Sequence, residues 1–422
     1  MPGFLLDRFA EVAARAHHDE DVEIFARRTH HVVVTRPSSG GPVQVERGTH
    51  WHVLVSSRVG GSSAVALTTD PSPAGLASTL DTARLLRLTV PQKALDAEPL
   101  ADLCRSDIPP DLAPGPVDLA ADPLSLALVP PDVATTVAHS VACVWLADSR
   151  GRAGCYSSSE AQIALRSCEG ALGAALATDP DRLDIATAVA DLNRERAAMA
   201  LPRGATRAPS WLLLTPLATA QLLSHLAGGL LRAHYREETL PIGEAIGSSA
   251  VTLVDDGRPT GGPAGAPFDD EGVATRRTVI VRSGRWESLL SGLPLALSTG
   301  NARRRDASAH TAVAPSNLFL QPSGVLPADD ERPSGVGVLV TRLSGVRPAA
   351  LDLRHTPLRL TVHGATLRDG VPAERVQAVL AASAQHILQS IVAVAGPVRF
   401  YRVTGVFGGT TCLLDGVAVR PV

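Results

Sequence analysis

Hydrophobic and polar positions alternate in two distinct rhythms along this chain. Leu5, Leu6, Phe9, Val12 and Ala13 recur at helical spacing, which predicts an amphipathic helix within residues 4–18. DVEIFARRTHHVVVTR and VQVERGTHWHVLVSS then switch to strand character. In the second of these, Val43, Val45, Trp51, Val53 and Val55 alternate with polar residues, the period-two signature of a half-buried sheet. PSSGGP (37–42) and GGSS (60–63) supply turn material between strands. Helical period returns over 72–88, with Ser72 as N-cap and Pro73 at the first helical position. The prolines of 89–132 exclude a helix or central strand there and predict an extended connection. Asp148-Ser149-Arg150-Gly151 separates two strand-like runs and predicts a hairpin. A helix is predicted over 180–199.

LPRGATRAPS (201–210) has the composition of a domain boundary. Beyond it, WLLLTP (211–216) reads as a buried strand. Residues 217–235 read as a strongly apolar helix weakened by Gly228 and Gly229. Short strand-like runs dominate the remainder, with one late helix predicted at 372–393. The fold class expected is α+β in two domains. Residues 1–205 form a mixed α/β sheet domain that includes the 89–132 connection, and residues 206–422 form a strand-rich domain around a central apolar helix.

Composition narrows the function. The 422 residues carry 39 Lys+Arg against 42 Asp+Glu, a near balance that gives no bulk electrostatic reason to bind nucleic acid or an anionic membrane. Lys93 is the only lysine, so Schiff-base chemistry rests on it or is excluded. Five cysteines at no metal-like spacing fit a reducing compartment. The N-terminus has charges within its apolar run, unlike a signal peptide, and no apolar run is long enough to span a bilayer. A cytoplasmic location is the expectation.

P-loop, G-x-S-x-G, H-E-x-x-H and H-E-x-x-x-H patterns are all absent from the sequence. His50 and His52 fall on one strand face. They could hold a metal, or they could form a solvent-facing row with no acidic partner placed locally. Asp255/Asp256 and Asp269/Asp270/Glu271 lie in a glycine-rich acidic stretch. Its spacing matches no calcium loop, so Asp269 and Asp270 are expected to cap turns and pair with Arg276 and Arg277. STGNARRRDASAH (298–310) offers arginine forks for a carboxylate or phosphate, or a charged loop at a subunit interface.

In order, TLVDD (252–256), PFDDEGVATRRTVIVRSG (267–284), STGNARR (298–304) and PSNLFL (315–320) resemble the C-terminal domain of the TldD/PmbA family, also called modulators of DNA gyrase. ADSRGRAGCYSSSEAQIAL (147–165), EIFARRTHHVVVTR and GGTTCLLDGVAV (408–419) extend the resemblance over nearly the whole chain. The family contains TldD-type subunits, zinc metallopeptidases with H-E-x-x-x-H on a helix, and TldE/PmbA-type subunits that lack it and pair with TldD. Two histidines on a helix hold the zinc, and the glutamate activates metal-bound water.

Setting LLSHLAGG beside the family's metal helix puts Ser224 and Gly229 at the histidine positions and His225 at the glutamate. The resemblance therefore implies a TldE-like subunit with no cofactor of its own and zinc in a TldD-like partner. Cys412, in the last strand run, reads as a small core residue. Asn301, Arg303, Arg304 and His310 are the candidates for the subunit seam or for substrate carboxylates. The expected ligand is a peptide or peptide-like molecule, with no nucleic acid and no membrane involved. The alternatives are a TldD/TldE-like pair in a natural-product pathway, a non-enzymatic homodimeric binding module, and a cavity reused to cleave another bond.

Overall fold

The opening pattern forms helix α1, Phe4–Ala13, which lays Leu6, Phe9 and Val12 against the first sheet. The computed structural model describes residues 4–89, 92–93, 128–204, 209–235, 240–292, 298–304, 311–328, 331–346, 352–417 and 419–421. The first sheet comprises β1 (Glu20–Arg36), β2 (Gln44–Val59), β3 (Ser62–Thr68), β4 (Gln92–Lys93), β5 (Ala134–Asp148), β6 (Ala153–Arg166) and β7 (Leu172–Ala177). Its order is β4-β3-β2-β1-β5-β6-β7, and every pair is antiparallel. Helix α2 (Pro73–Thr89) starts as predicted, because Ser72 Oγ accepts from Gly75 N at 3.1 Å. The Asp148 turn is a hairpin, with Gly151 at φ +84° and the Asp148 carboxylate accepting from the backbone of Arg150 and Arg152.

Alternation on β1 assigns each sheet face its cover. Val22, Ile24 and Ala26 pack beneath α1 and α2, while Val32 and Val34 pack beneath helix α3 (Ile185–Ala200). On the opposite face Phe25, Leu54, Val144 and Tyr156 receive Ala266 and Phe268 from the second half of the chain. α3 is shorter than the helix predicted over 180–199. A 3-10 turn occupies Pro180–Arg182, and Asp184 then caps α3 by accepting from Thr187 N at 2.8 Å.

The second sheet gathers β8 (Trp211–Leu214), β9 (Leu253–Asp256), β10 (Arg277–Arg282), β11 (Arg285–Trp286), β14 (Asn317–Leu320), β15 (Gly337–Ser344), β16 (Pro357–Arg368), β17 (Val371–Ser383), β18 (Ile391–Arg402), β19 (Val406–Asp415) and β20 (Val419–Pro421). β12 (Ala302–Arg304) and β13 (Thr311–Val313) form a separate ribbon. The order is β11-β10-β9-β14-β19-β8-β15-β16-β17-β20, with β18 added to β19. β14–β19 and β8–β15 are parallel pairs. Helix α4 (Pro216–Leu226) is buried nearly all round in this core, as its apolar sequence requires.

Two sequence expectations are corrected. The helix predicted over 217–235 ends at Leu226 and continues only as 3-10 turns at Ala227–Leu230 and Arg232–His234, since Gly228 and Gly229 carry no helix-stabilising side chain. The late helix predicted at 372–393 is mostly β17, followed by the single short helix α5 (Ala384–Gln389) and the start of β18. Pairing of β17 with β16 along nearly its whole length overrides the helix propensity of its alanines, Glu374 and Gln377. Of the connection predicted over 89–132, all but residues 89, 92–93 and 128–132 lies outside the described residues. No helix among the described residues is long and apolar enough to cross a membrane.

Candidate functional site

α4 is fixed at its start by sequence. Thr215 is extended, its hydroxyl accepts from Ala218 N, and Pro216 takes the first helical position. Gln221 Oε1 accepts from Leu343 N at 2.7 Å and pins the helix to β15. Ser224 is buried, and its hydroxyl donates back to Gln221 O at 2.7 Å. His225 is buried beside it. Gly229 is buried in the 3-10 turn, where its carbonyl accepts from the Tyr235 hydroxyl at 2.8 Å. Tyr235 stands edge-on to Trp286, and burial pushes its phenol up to about 12. His234 leaves the α-helix altogether, so it shares no helical face with His225. Cys412 is fully buried on β19, and burial pushes its thiol up, so it behaves as an apolar core residue.

These residues do not fit a zinc ion. Ser224 spends its hydroxyl on its own helix and Gly229 has no donor side chain. Among the described residues no group of three or more His, Cys, Asp and Glu is placed to hold a metal. On the first sheet, His31 joins the row predicted from His50 and His52. Its ring stacks on His50 at 5.0 Å and 6°, and Glu46 lies 3.6 Å from its Nε2.

The other candidates converge at a buried joint between the two halves. Asp255, at the end of β9, accepts from Asn301 Nδ2 at 2.7 Å and from Ser316 N at 2.9 Å. Gly300, at φ +72°, turns the chain so that Asn301 points inward, and a Cβ there would sit 2.6 Å from Ala274 O. Arg303 Nη2 donates to Ser316 Oγ at 2.8 Å. Asp269 accepts from the backbone of Glu271, Val273 and Ala302, and so caps its turn as the sequence predicted. Burial pushes both Asp255 and Asp269 up to about 6.

Asp270 departs from its predicted pairing. It is 1% exposed and accepts from Arg27 of β1 at 2.9 and 3.1 Å and from Arg304 N at 2.7 Å. Arg276 instead donates to Ser298 O, and Arg277 to Gln321. Arg304 reaches Glu23 at 3.0 Å and lies over the Phe25 ring. Asn301, Arg303 and Arg304 are thus all engaged within the chain, where they tie the 298–304 loop to β9, to Ser316 just before β14, and to β1. His310 lies outside the described residues. The Arg27–Asp270 and Arg304–Glu23 pairs were not visible in the sequence, since 243 and 281 positions separate the partners. Only the clustering of opposite charges in 269–271 and 302–305 hinted that this stretch needed distant partners.

Residues 211–420 match the family model of the PmbA/TldA metallopeptidase C-terminal domain. A metalloprotease of Methanocaldococcus jannaschii is 35% identical over 86 residues, a match that spans 19% of this chain and 19% of that protein. Across the whole chain, the crystal structure of TldE from Thermococcus kodakarensis superposes with a TM-score of 0.80 at 15% identity, covering 99% of this chain and 100% of that one. A Thermotoga maritima protein described as a candidate modulator of a DNA gyrase gives 0.73 at 17% identity, with both chains covered in full. The strand-rich α+β architecture is therefore the architecture of TldE, and the chain belongs to the TldD/PmbA family, with residues 211–420 as the family's metallopeptidase C-terminal domain.

Proposed function

We propose that this chain is the non-metal, TldE/PmbA-like subunit of a heterodimeric TldD/TldE-type metallopeptidase. It completes the chamber and positions an extended peptide for the zinc site of a TldD-like partner. One observation carries this reading. Where the resemblance expects two zinc-binding imidazoles, α4 and the turn after it present Ser224, bonded to its own helix, and the bare backbone of Gly229. Such a subunit acts through proximity and orientation, which requires no ligand donors of its own. An extended substrate adds to a strand edge, so backbone hydrogen bonds supply affinity with little side-chain selectivity. The engagement of Arg303 and Arg304 in the joint supports a role for the 298–304 loop in chamber shape more than in gripping a substrate carboxylate. The working location is the cytoplasm.

The test is to purify the chain alone and together with a TldD-like chain, then measure zinc content and peptide cleavage. The lone chain is expected to lack stoichiometric zinc and activity, and cleavage is expected on pairing. Stoichiometric zinc with robust cleavage by the lone chain overturns the proposal. Cleavage by the pair of one modified peptide intermediate, and not of unmodified peptides, places the pair in a natural-product pathway. A stable homodimer that ignores any TldD-like chain favours a binding module.

A further inference from the structure

A polar pocket lies apart from the Asp270 joint, where α3 meets β15, β16 and β17. Its walls include Glu195, Met199, Arg342, His363, Arg375 and Val376. We propose that this pocket binds one small monovalent anion, a halide or a single carboxylate group, with Arg375 as its principal ligand.

The charges at the pocket do not cancel. Glu195 is 1% exposed, accepts from Leu172 N at 2.9 Å, and holds Arg342 at 3.0 Å, so that acid and that base neutralise each other. Arg375 lines the same space as Glu195, and among the described residues no ion pair joins its guanidinium to a carboxylate, Glu195 being paired with Arg342. Its backbone is fixed in place, since Arg375 N donates to Pro202 O and Gly204 N donates to Arg375 O. His363 adds no cancelling charge. Burial together with Arg342 and Arg375 pushes its imidazole down to about 4, which leaves it neutral at ordinary pH. Its ring is held toward Ser344, and its carbonyl accepts from Thr341.

One positive charge is therefore left over in a half-enclosed site whose Met199 and Val376 walls reduce the competition from water. A guanidinium in such a site gains from an anion, because its planar fork is weakly hydrated and matches a carboxylate or halide. Size sets the class of guest. The cavity is small, roughly 10 Å³, about the room one water needs, which favours a small guest. The location sets the consequence, since α3 also covers Val32 and Val34 of the first sheet. An anion here ties that helix to the second sheet. The inference is independent of the partner subunit and of zinc.

The probe is sodium chloride, read by quadrupolar chloride NMR line broadening on the full chain. The wild type is expected to give excess line width that sodium acetate removes by competition and bulky sodium tosylate does not. R375Q is expected to lose the excess, while R359Q, at an exposed position of β16 outside the pocket, keeps it. Thermal melting of R375Q verifies its fold. Three results overturn the proposal: no excess in the wild type, equal excess in R375Q, or equal displacement by acetate and tosylate. The wild-type competition stands even where a variant fails to fold. Displacement by a peptide with a free C-terminus, and not by its amide, identifies a peptide carboxylate as the source of the anion.

Discussion

Replacing Asp270 with alanine tests the joint directly. The substitution removes the acceptor of three hydrogen bonds, two from Arg27 and one from the Arg304 backbone. Asp270 is 1% exposed, and the Arg27 side chain 28%. Breaking a fully buried ion pair costs about 3–5 kcal/mol, mostly from the charge left without a partner. Arg27 retains some water, which reduces that figure. The Arg304 N–H is shielded, and an orphaned buried donor adds about 1–3 kcal/mol. The expected loss is about 3 kcal/mol. Urea unfolding measures it, with fluorescence from Trp51 and Trp145 in the first sheet and Trp211 and Trp286 in the second. R27A/D270A completes a double-mutant cycle, with an expected coupling of about 1–3 kcal/mol. A loss under about 1 kcal/mol for D270A, or zero coupling, refutes the claim that this pair holds the two halves together.

Asp255 and Asp269 titrate at about 6 in the folded chain and near 3.9 when unfolded, so the native state binds more protons across that window. Their contribution is fully present below the unfolded value and is lost as pH rises through 6. It amounts to up to about 3 kcal/mol per group. Urea midpoints should therefore rise as pH falls from 7 to 5, and D255N should flatten that slope. G300A forces a Cβ against Ala274 O at a left-handed backbone position and should cost about 1–3 kcal/mol by thermal melting. Y235F removes one hydrogen bond to Gly229 O and should cost about 1 kcal/mol in the same assay, with no change in metal content.

The Asp148 turn between strand-like runs made β5 and β6 legible, and burial alternates along much of β1 and the first part of β5. The period-two reading of β2 held only in part, since Val43 precedes the strand and Val45 is exposed while Val53 and Val55 are buried. β17 was illegible for another reason. Its alanines and long polar side chains favour a helix locally, and only pairing with β16 reveals a strand. The end of α4 was half-visible, since Gly228 and Gly229 warned of it without fixing the residue. At the candidate site the sequence located the 298–304 stretch and its arginines. It carried no sign of their inward orientation, because Asp255 and Glu23 come from remote parts of the chain.

The place of β19 has a consequence for biosynthesis. It lies between β14 and β8, so two strands made much earlier wait for residues 406–415 before either gains that neighbour. The first sheet draws its strands from residues 20–177 and can assemble while translation continues. The second cannot close until residues 406–415 have been made. A nascent chain halted before residue 406 would present β8 and β14 as naked edges, which are templates for self-association.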